Sequence, residues 1–344
     1  MTEHVVARPD PALVARIRRK TPLLYEGGAD PATERPPHVR AGSSLAALRD
    51  PGTGGDRIAV IQDDARFVAI IDPGSSRAAS LPLPADRAGH RVFDEAHGNE
   101  RFKLDLEACV TVPGEGGERL VAFGSGSTAE RDQIVVVSWT GGERPDVAVY
   151  EATAWYDALR GARDFSGSEL NVEGAIFLPP DTLRLFQRGN GALRAGLQPV
   201  DATGDLSWSA LWAHLQRPAT APPPTPANVV QYRLGDLDGV RLTFSDAVAH
   251  GAVVIFSASA EGSEDSTHDE RVKGSVLGVI ARDGARWATL TERDGRPFRA
   301  KIEGLSLAPG DHWLVSFVVD NDDTETPSEL YQAELSGPWY PGDE

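Results

Sequence analysis

Runs of apolar, β-branched residues recur along the chain, each of strand length and each bounded by Gly, Asp, Pro or Ser. Arg57-Ile58-Ala59-Val60-Ile61, Phe67-Val68-Ala69-Ile70-Ile71, Gln133-Ile134-Val135-Val136-Val137 and Trp313-Leu314-Val315-Ser316-Phe317 are representative. Such runs, separated by turn formers, are the pattern of antiparallel meanders. Helical periodicity is confined to residues 11–19 and 154–163, which are predicted as short helices, while 208–216 fits a helix or a loop equally. The fold class predicted is all-β.

A small motif recurs within this pattern: an aliphatic residue, an acid, then Gly or Ala. It reads Leu106-Glu107-Ala108, Val172-Glu173-Gly174, Leu237-Asp238-Gly239 and Ile302-Glu303-Gly304, and its acids are 66, 65 and 65 residues apart. One unit earlier, in Ser43-Ser44-Leu45-Ala46, Ala46 stands where the acid would be. Each unit also has a strand ending in a polar cluster: Gln62-Asp63-Asp64, Gly124-Ser125-Gly126-Ser127, Gln187-Arg188-Gly189-Asn190, Ser257-Ala258-Ser259-Ala260 and Asp320-Asn321-Asp322-Asp323. A period of this size with about four strands per unit predicts a β-propeller. The count is five four-stranded antiparallel blades, or six if one is hidden in 78–102. Residues 39–340 form a single propeller domain in this reading. Residues 1–38 are an N-terminal segment that closes the ring, with Leu23-Leu24-Tyr25 pairing to the last unit. The proline tract 218–226 is a polyproline-like connection, because the repeat phase continues across it.

Composition narrows the function. A length of 344 residues suggests two domains, and the repeat replaces that with one. Acids outnumber bases 51 to 34, for a formal charge of −17. That disfavours nucleic acid or an anionic membrane as partner, since phosphate binding needs a basic face. The N-terminus lacks a signal-peptide h-region, and no window holds 18 apolar residues, so a soluble, cytoplasmic monomer is expected. The single Cys109 stands in an apolar run and reads as a buried small hydrophobe. The Ala, Arg, Gly, Asp and Pro bias suggests a GC-rich bacterial source.

First strands of propeller blades line the central channel, and residues two apart share a strand face. The repeat therefore sets polar rows on the channel: Lys103, Asp105 and Glu107; Glu169, Asn171 and Glu173; Asp236 and Asp238; Arg299, Lys301 and Glu303. Three readings stay open. The acids accept backbone N–H bonds and fix blade geometry. Alternatively Glu107, Glu173, Asp238 and Glu303 converge on a hard cation, calcium being the candidate because it takes 6–8 oxygen ligands. In the third reading, paired carboxylates perform acid–base hydrolysis.

Other residues could bind a ligand at the channel mouth. Ser125 and Arg131 flank a Gly-rich turn that lacks the ending of a P-loop, and Arg188 adjoins Gly189-Asn190-Gly191; each suits an anion. Lys103, Asp105 and Lys301 complete the ligand-binding set. No pair of His has transition-metal spacing, and His97 is the candidate general base. The acidic run 261–270 reads as a solvated loop, and residues 320–323 lack the pattern of an EF-hand.

The motif Lys103-Leu104-Asp105-Leu106-Glu107-Ala108, followed by Phe123-Gly124-Ser125-Gly126-Ser127 and Arg131, resembles a family of uncharacterised bacterial propeller proteins similar to the "esterase-like activity of phytase" domain. Asp63-Asp64 matches a G-D-D-like turn, with Gln62 in place of Gly. Leu170-Asn171-Val172-Glu173-Gly174 and Phe186-Gln187-Arg188-Gly189-Asn190 match the third-blade pattern. Ser43-Ser44-Leu45-Ala46 departs from an S-G-L-E-like start by losing the acid. The resemblance spans about residues 40–335 and implies an esterase-like activity; joined to a metal held by the channel acids, it gives a metal-dependent esterase or phosphoesterase as the first reading. The alternative is a non-enzymatic binding or scaffold protein whose channel acids are structural.

Overall fold

The structure is a computed structural model describing residues 2–50, 52–139, 144–262, 272–321 and 323–340. Its β-strands form consecutive antiparallel meanders. The first runs through Gly42–Arg49, Asp56–Gln62, Phe67–Ile71 and Arg77–Pro82. The second comprises Leu106–Gly114, Gly117–Gly124, Gln133–Ser138 and Asp146–Glu151. The third comprises Val172–Leu178, Thr182–Gln187, Asp201–Ser207 and Ala227–Arg233. The fourth comprises Val240–His250, Val253–Ala260, Gly274–Ala281 and Gly284–Thr291. The last comprises Gly304–Ala308, Asp311–Val319 and Glu329–Ser336, and its outer strand is the N-terminal Val14–Pro22.

The first strands of these meanders pack on one another in a closed circle: Gly42–Arg49 on Leu106–Gly114, then Val172–Leu178, Val240–His250, Gly304–Ala308 and back to the start. The apolar core is divided accordingly. Each buried cluster lies between two successive sheets, such as Val60, Phe67, Val318 and Leu330 between the first and last, or Phe186, Phe244 and Phe256 between the third and fourth. The fold is mostly β and propeller-like. No helix among the described residues is long and apolar enough to cross a membrane.

The N-terminal chain laces the outer edges. Glu3–Val6 pairs parallel to Ala227–Arg233, and Arg8–Pro9 to Gly284–Thr291. Val14–Pro22 then pairs with Glu329–Ser336, and Leu24–Tyr25 with Arg77 and Ala78 of the first meander. This corrects two expectations. Residues 11–19 are not a helix: Ala15 and Ile17 are buried while Arg16 and Arg18 are exposed, a period of two that a docked strand satisfies. The last sheet is completed by Val14–Pro22, whereas Leu24–Tyr25 edges the first. The expected helix near 154–163 is Thr153–Gly161, and Trp208–Gln216 is a helix capped by Ser207, whose side chain accepts the Ala210 N–H.

The glycine of the repeated motif packs the circle. A Cβ on Gly304 would stand 2.7 Å from Leu45 N and Ser44 Cα, and one on Gly174 would stand 3.1 Å from Asp246 Oδ1. Inner strands thus meet backbone to backbone. Gly304→Ala is expected to cost about 2 kcal/mol or more through forced overpacking, read as a lower urea midpoint with an unchanged slope.

Candidate functional site

The inner strands begin with an irregularity in pairing. Ser43, Glu107, Glu173 and Ser245 are each the extra residue where register shifts against the second strand. Glu303 precedes the last inner strand, its N–H donating to Val318 O at 3.0 Å. A bulged residue is freed from the ladder and its side chain is re-aimed. Ser43, Glu107, Glu173, Ser245 and Glu303 are therefore the equivalent positions, and they are 64, 66, 72 and 58 residues apart.

Asp238 is not one of them. It sits in the turn between Asp236–Leu237 and Val240–His250 at φ 54°, is 54% exposed, and pairs with Arg299 at 2.5 Å. The helix Trp208–Gln216 and the proline tract lengthen the third interval, the short fourth interval offsets it, and an unrelated turn acid falls midway. Ala46 likewise lies deeper in the channel. It lines a cavity of about 180 Å³ with Leu45, Val110, Ile176 and Ala249, and Ser43 holds the ring position.

A second ring follows the second strand of each meander: Asp63, Ser125, Arg188, Glu261 and Asp320 each come directly after its last residue. Contacts join the two rings. Lys103 Nζ lies 2.8 Å from Asp63 Oδ2 and 3.3 Å from Asp105 Oδ1. Arg131 lies 3.1 Å from Asp105 Oδ2, to which Ser125 Oγ donates. The anion held by Ser125 and Arg131 is thus the chain's own Asp105. Arg188 lies 3.1 Å from Glu173 Oε1, and Lys301 lies 3.0 Å from Glu303 Oε1. Asn171 Nδ2 also donates to Glu173 Oε1 at 2.8 Å.

Two carboxylate groups result. Oxygens of Glu107, Glu173 and Glu303 lie within 4.8 Å of one another, as do those of Asp63, Asp105 and Glu107. The second group already holds the Lys103 ammonium. In the first, each base touches one oxygen of its glutamate, and no donor among the described residues reaches the Glu107 carboxylate. Burial, followed by the charges of Asp63, Glu173, Asp105 and Glu303, holds Glu107 well above the ordinary carboxylate range.

Beneath the glutamates lies Asp246, 1% exposed. Its Oδ2 accepts Ser44 Oγ at 3.0 Å and Leu305 N–H at 2.9 Å, and its Oδ1 accepts Ala247 N–H at 2.7 Å. Ser44 Oγ in turn accepts Cys109 N–H at 3.2 Å. The clasp ties four inner strands and holds Cys109, which is buried as expected. Burial raises the Asp246 pKa well above its ordinary value.

His97 stands apart from both carboxylate groups. Its Nδ1 lies 2.6 Å from Asp94 Oδ1, and the ring is 64% exposed. Asp94 also pairs with Arg40 at 3.3 Å and lines a pocket of about 540 Å³ that Asp63 and Lys103 share with the ring. Ser43, Ser245, Asp246 and Glu261 are the members the sequence reading missed. Of the run 261–270, residues 263–270 lie outside the described residues.

Residues 38–335 match a family of unknown function, DUF6929. The chain belongs to that family. No curated protein matches this DUF6929 member. Among solved structures, it is similar to MPT-1, a GDP-Man-dependent mannosyltransferase from Leishmania mexicana, at 10% identity and TM-score 0.43, over 95% of this chain and 92% of that one. It is similar to an exo-1,5-alpha-L-arabinanase from a bovine ruminal metagenomic library at 9% identity and TM-score 0.41, over 87% and 98%. It is also similar to the Dos1 propeller at 7% identity and TM-score 0.32, over 85% and 54%. At such identities none of these activities transfers to the DUF6929 chain.

Proposed function

We propose that this DUF6929 protein is a five-bladed propeller, one domain over 39–340 closed by 1–38, that binds a divalent cation on its axis through Glu107, Glu173 and Glu303. The five meanders are its blades. Glu107 carries the reading: a carboxylate crowded by other carboxylates, with no donor among the described residues, is costly unless it is protonated or gains a cation. The donors are all oxygen, with neither His nor Cys in either group. That favours calcium over a transition metal. The axial cation would hold a small ligand at the mouth.

The esterase-like resemblance suggests that this ligand is hydrolysed, with the cation polarising an oxygen or a bound water. The position of His97 favours binding over that second reading, because its dyad with Asp94 touches neither carboxylate group. A panel of ester and phosphoester substrates with added calcium tests it.

In the cation test, wild-type protein stripped by chelator is titrated with calcium and its Tm followed. Saturation at 100 times Kd stabilises by about 2.7 kcal/mol, and Glu107→Gln should lose that response. Without calcium, Glu107→Gln should melt at or above wild type, since it removes a carboxyl whose ionised form burial and the neighbouring acids disfavour. A chelated wild type whose Tm ignores calcium contradicts the proposal.

A further inference from the structure

Two bases converge beside the axial glutamates from different meanders. Arg188, with a side chain 4% exposed, comes from the third, and Lys301 precedes the last inner strand. Between them stands Glu261 of the fourth. One of its oxygens accepts from Arg188 Nη2, and the other lies 3.3 Å from Lys301 Nζ. Arg188 is also fixed by its Nε–H, which donates to Thr243 Oγ1 at 3.2 Å. Burial acts to raise the Glu261 pKa, but the charges of Lys301 and Arg188 outweigh it and pull the carboxyl down to about 2. The two side chains therefore hold an ionised carboxylate. A buried guanidinium opposite an ammonium is the donor set that carboxylate and phosphate groups select.

We propose that Arg188 and Lys301 form an anion subsite adjoining the axial cation site, with Glu261 as its resident occupant, and that a carboxylate or phosphate group of the ligand replaces Glu261. The coupling between the two sites rests on the cation reading; the subsite does not. Among the described residues, Glu173, Glu303 and Glu261 pair with Arg188 and Lys301, three carboxylates against two bases, so the subsite keeps a formal negative excess that a cation on the axis offsets. A cation drawing on Glu173 and Glu303 leaves both bases with less compensation, so cation and anion should tighten each other's binding, equally in both directions. The ligand class is then an anion able to reach a metal with one oxygen.

The test is chemical rescue in the full-length chain, in chelator. Glu261→Ala should lower the Tm, and acetate or inorganic phosphate should recover most of the loss, while sodium chloride at equal ionic strength should not. Stronger rescue by acetate identifies a carboxylate ligand, and stronger rescue by phosphate a phosphorylated one. Should Glu261→Ala fail to fold, the near-isosteric Glu261→Gln is titrated with both anions by calorimetry, and binding is expected. Absence of rescue and of binding by either anion overturns the proposal, as does equal rescue of Arg188→Met/Glu261→Ala. A wild type that ignores calcium alongside a rescued Glu261→Ala would remove the cation reading and leave the subsite standing.

Discussion

Deleting residues 2–22 is expected to abolish cooperative folding. That segment contributes the whole outer strand Val14–Pro22 of the last sheet and edge pairings to two others. Leu13, Ala15 and Ile17 are buried, and they cover Phe317, Tyr331 and Leu335 in the core cluster of the last two meanders. Losing Leu13 and Ile17 alone removes about 2–3 kcal/mol each. The deletion also strips the ladder from Glu329–Ser336 and uncovers its apolar partners. The total rivals the 5–15 kcal/mol that holds a typical domain together. Circular dichroism melting of the truncated chain should show no sigmoidal transition. A transition within a few degrees of the full-length protein would mean that the strand decorates the ring and does not close it.

Asp246→Ala is expected to cost about 3–5 kcal/mol, with urea unfolding as the measurement. The substitution leaves the buried Leu305 and Ala247 N–H groups without their carboxylate acceptor and frees the buried Ser44 Oγ. Each unsatisfied buried group costs about 1–3 kcal/mol. Asp246→Asn keeps the shape but points an amide donor at one of these donors, so it should fall between wild type and Ala. If Asp246→Ala unfolds at the wild-type urea midpoint, the clasp does not hold the circle.

Protonation sharpens the picture of the axis. Glu107 and Asp246 both have folded pKa values raised above their ordinary ones. A raised carboxyl binds its proton more tightly when folded, so its contribution is fully present below the unfolded value and is lost as pH rises through the folded one. The chelated protein should therefore lose Tm as pH rises above the ordinary carboxylate range, through the raised values of Asp63, about 7, and Glu303, about 8, as well as those of Glu107 and Asp246. Calcium should reduce that slope by replacing the Glu107 proton, and Glu107→Gln should reduce, not remove, it without calcium, since Asp246, Asp63 and Glu303 still titrate. A Tm that rises over this range in chelator contradicts both assignments.

The residues show what was legible in the chain and what was not. Glu107, Glu173 and Glu303 could be read because the bulge that frees an acid and the small residue that lets strands meet are neighbours in sequence. Asp238 could not be told from them, because the signature is short and the spacing test was satisfied by two unequal intervals that offset each other. Ser43 and Ser245 occupy the same structural position with a different side chain, so a search for acids passes over them. Arg188 was visible as the polar end of a strand. Glu261 stands at the equivalent position but runs into an acidic stretch, and its meaning comes from Arg188 and Lys301, more than 35 residues away on either side. Residues 11–19 misled for a related reason: Leu13 and Ile17 fit a helical stripe, and only the docked sheet decides that Ala15 and Ile17 share the buried face.

The most direct test of the axial site is anomalous diffraction from crystals soaked in terbium, a hard trivalent stand-in for calcium. One strong peak is expected on the axis, within about 2.5 Å of oxygens from Glu107, Glu173 and Glu303, and it should be lost in Glu107→Gln. A blank axis, with peaks confined to surface acids such as Asp238, would contradict it.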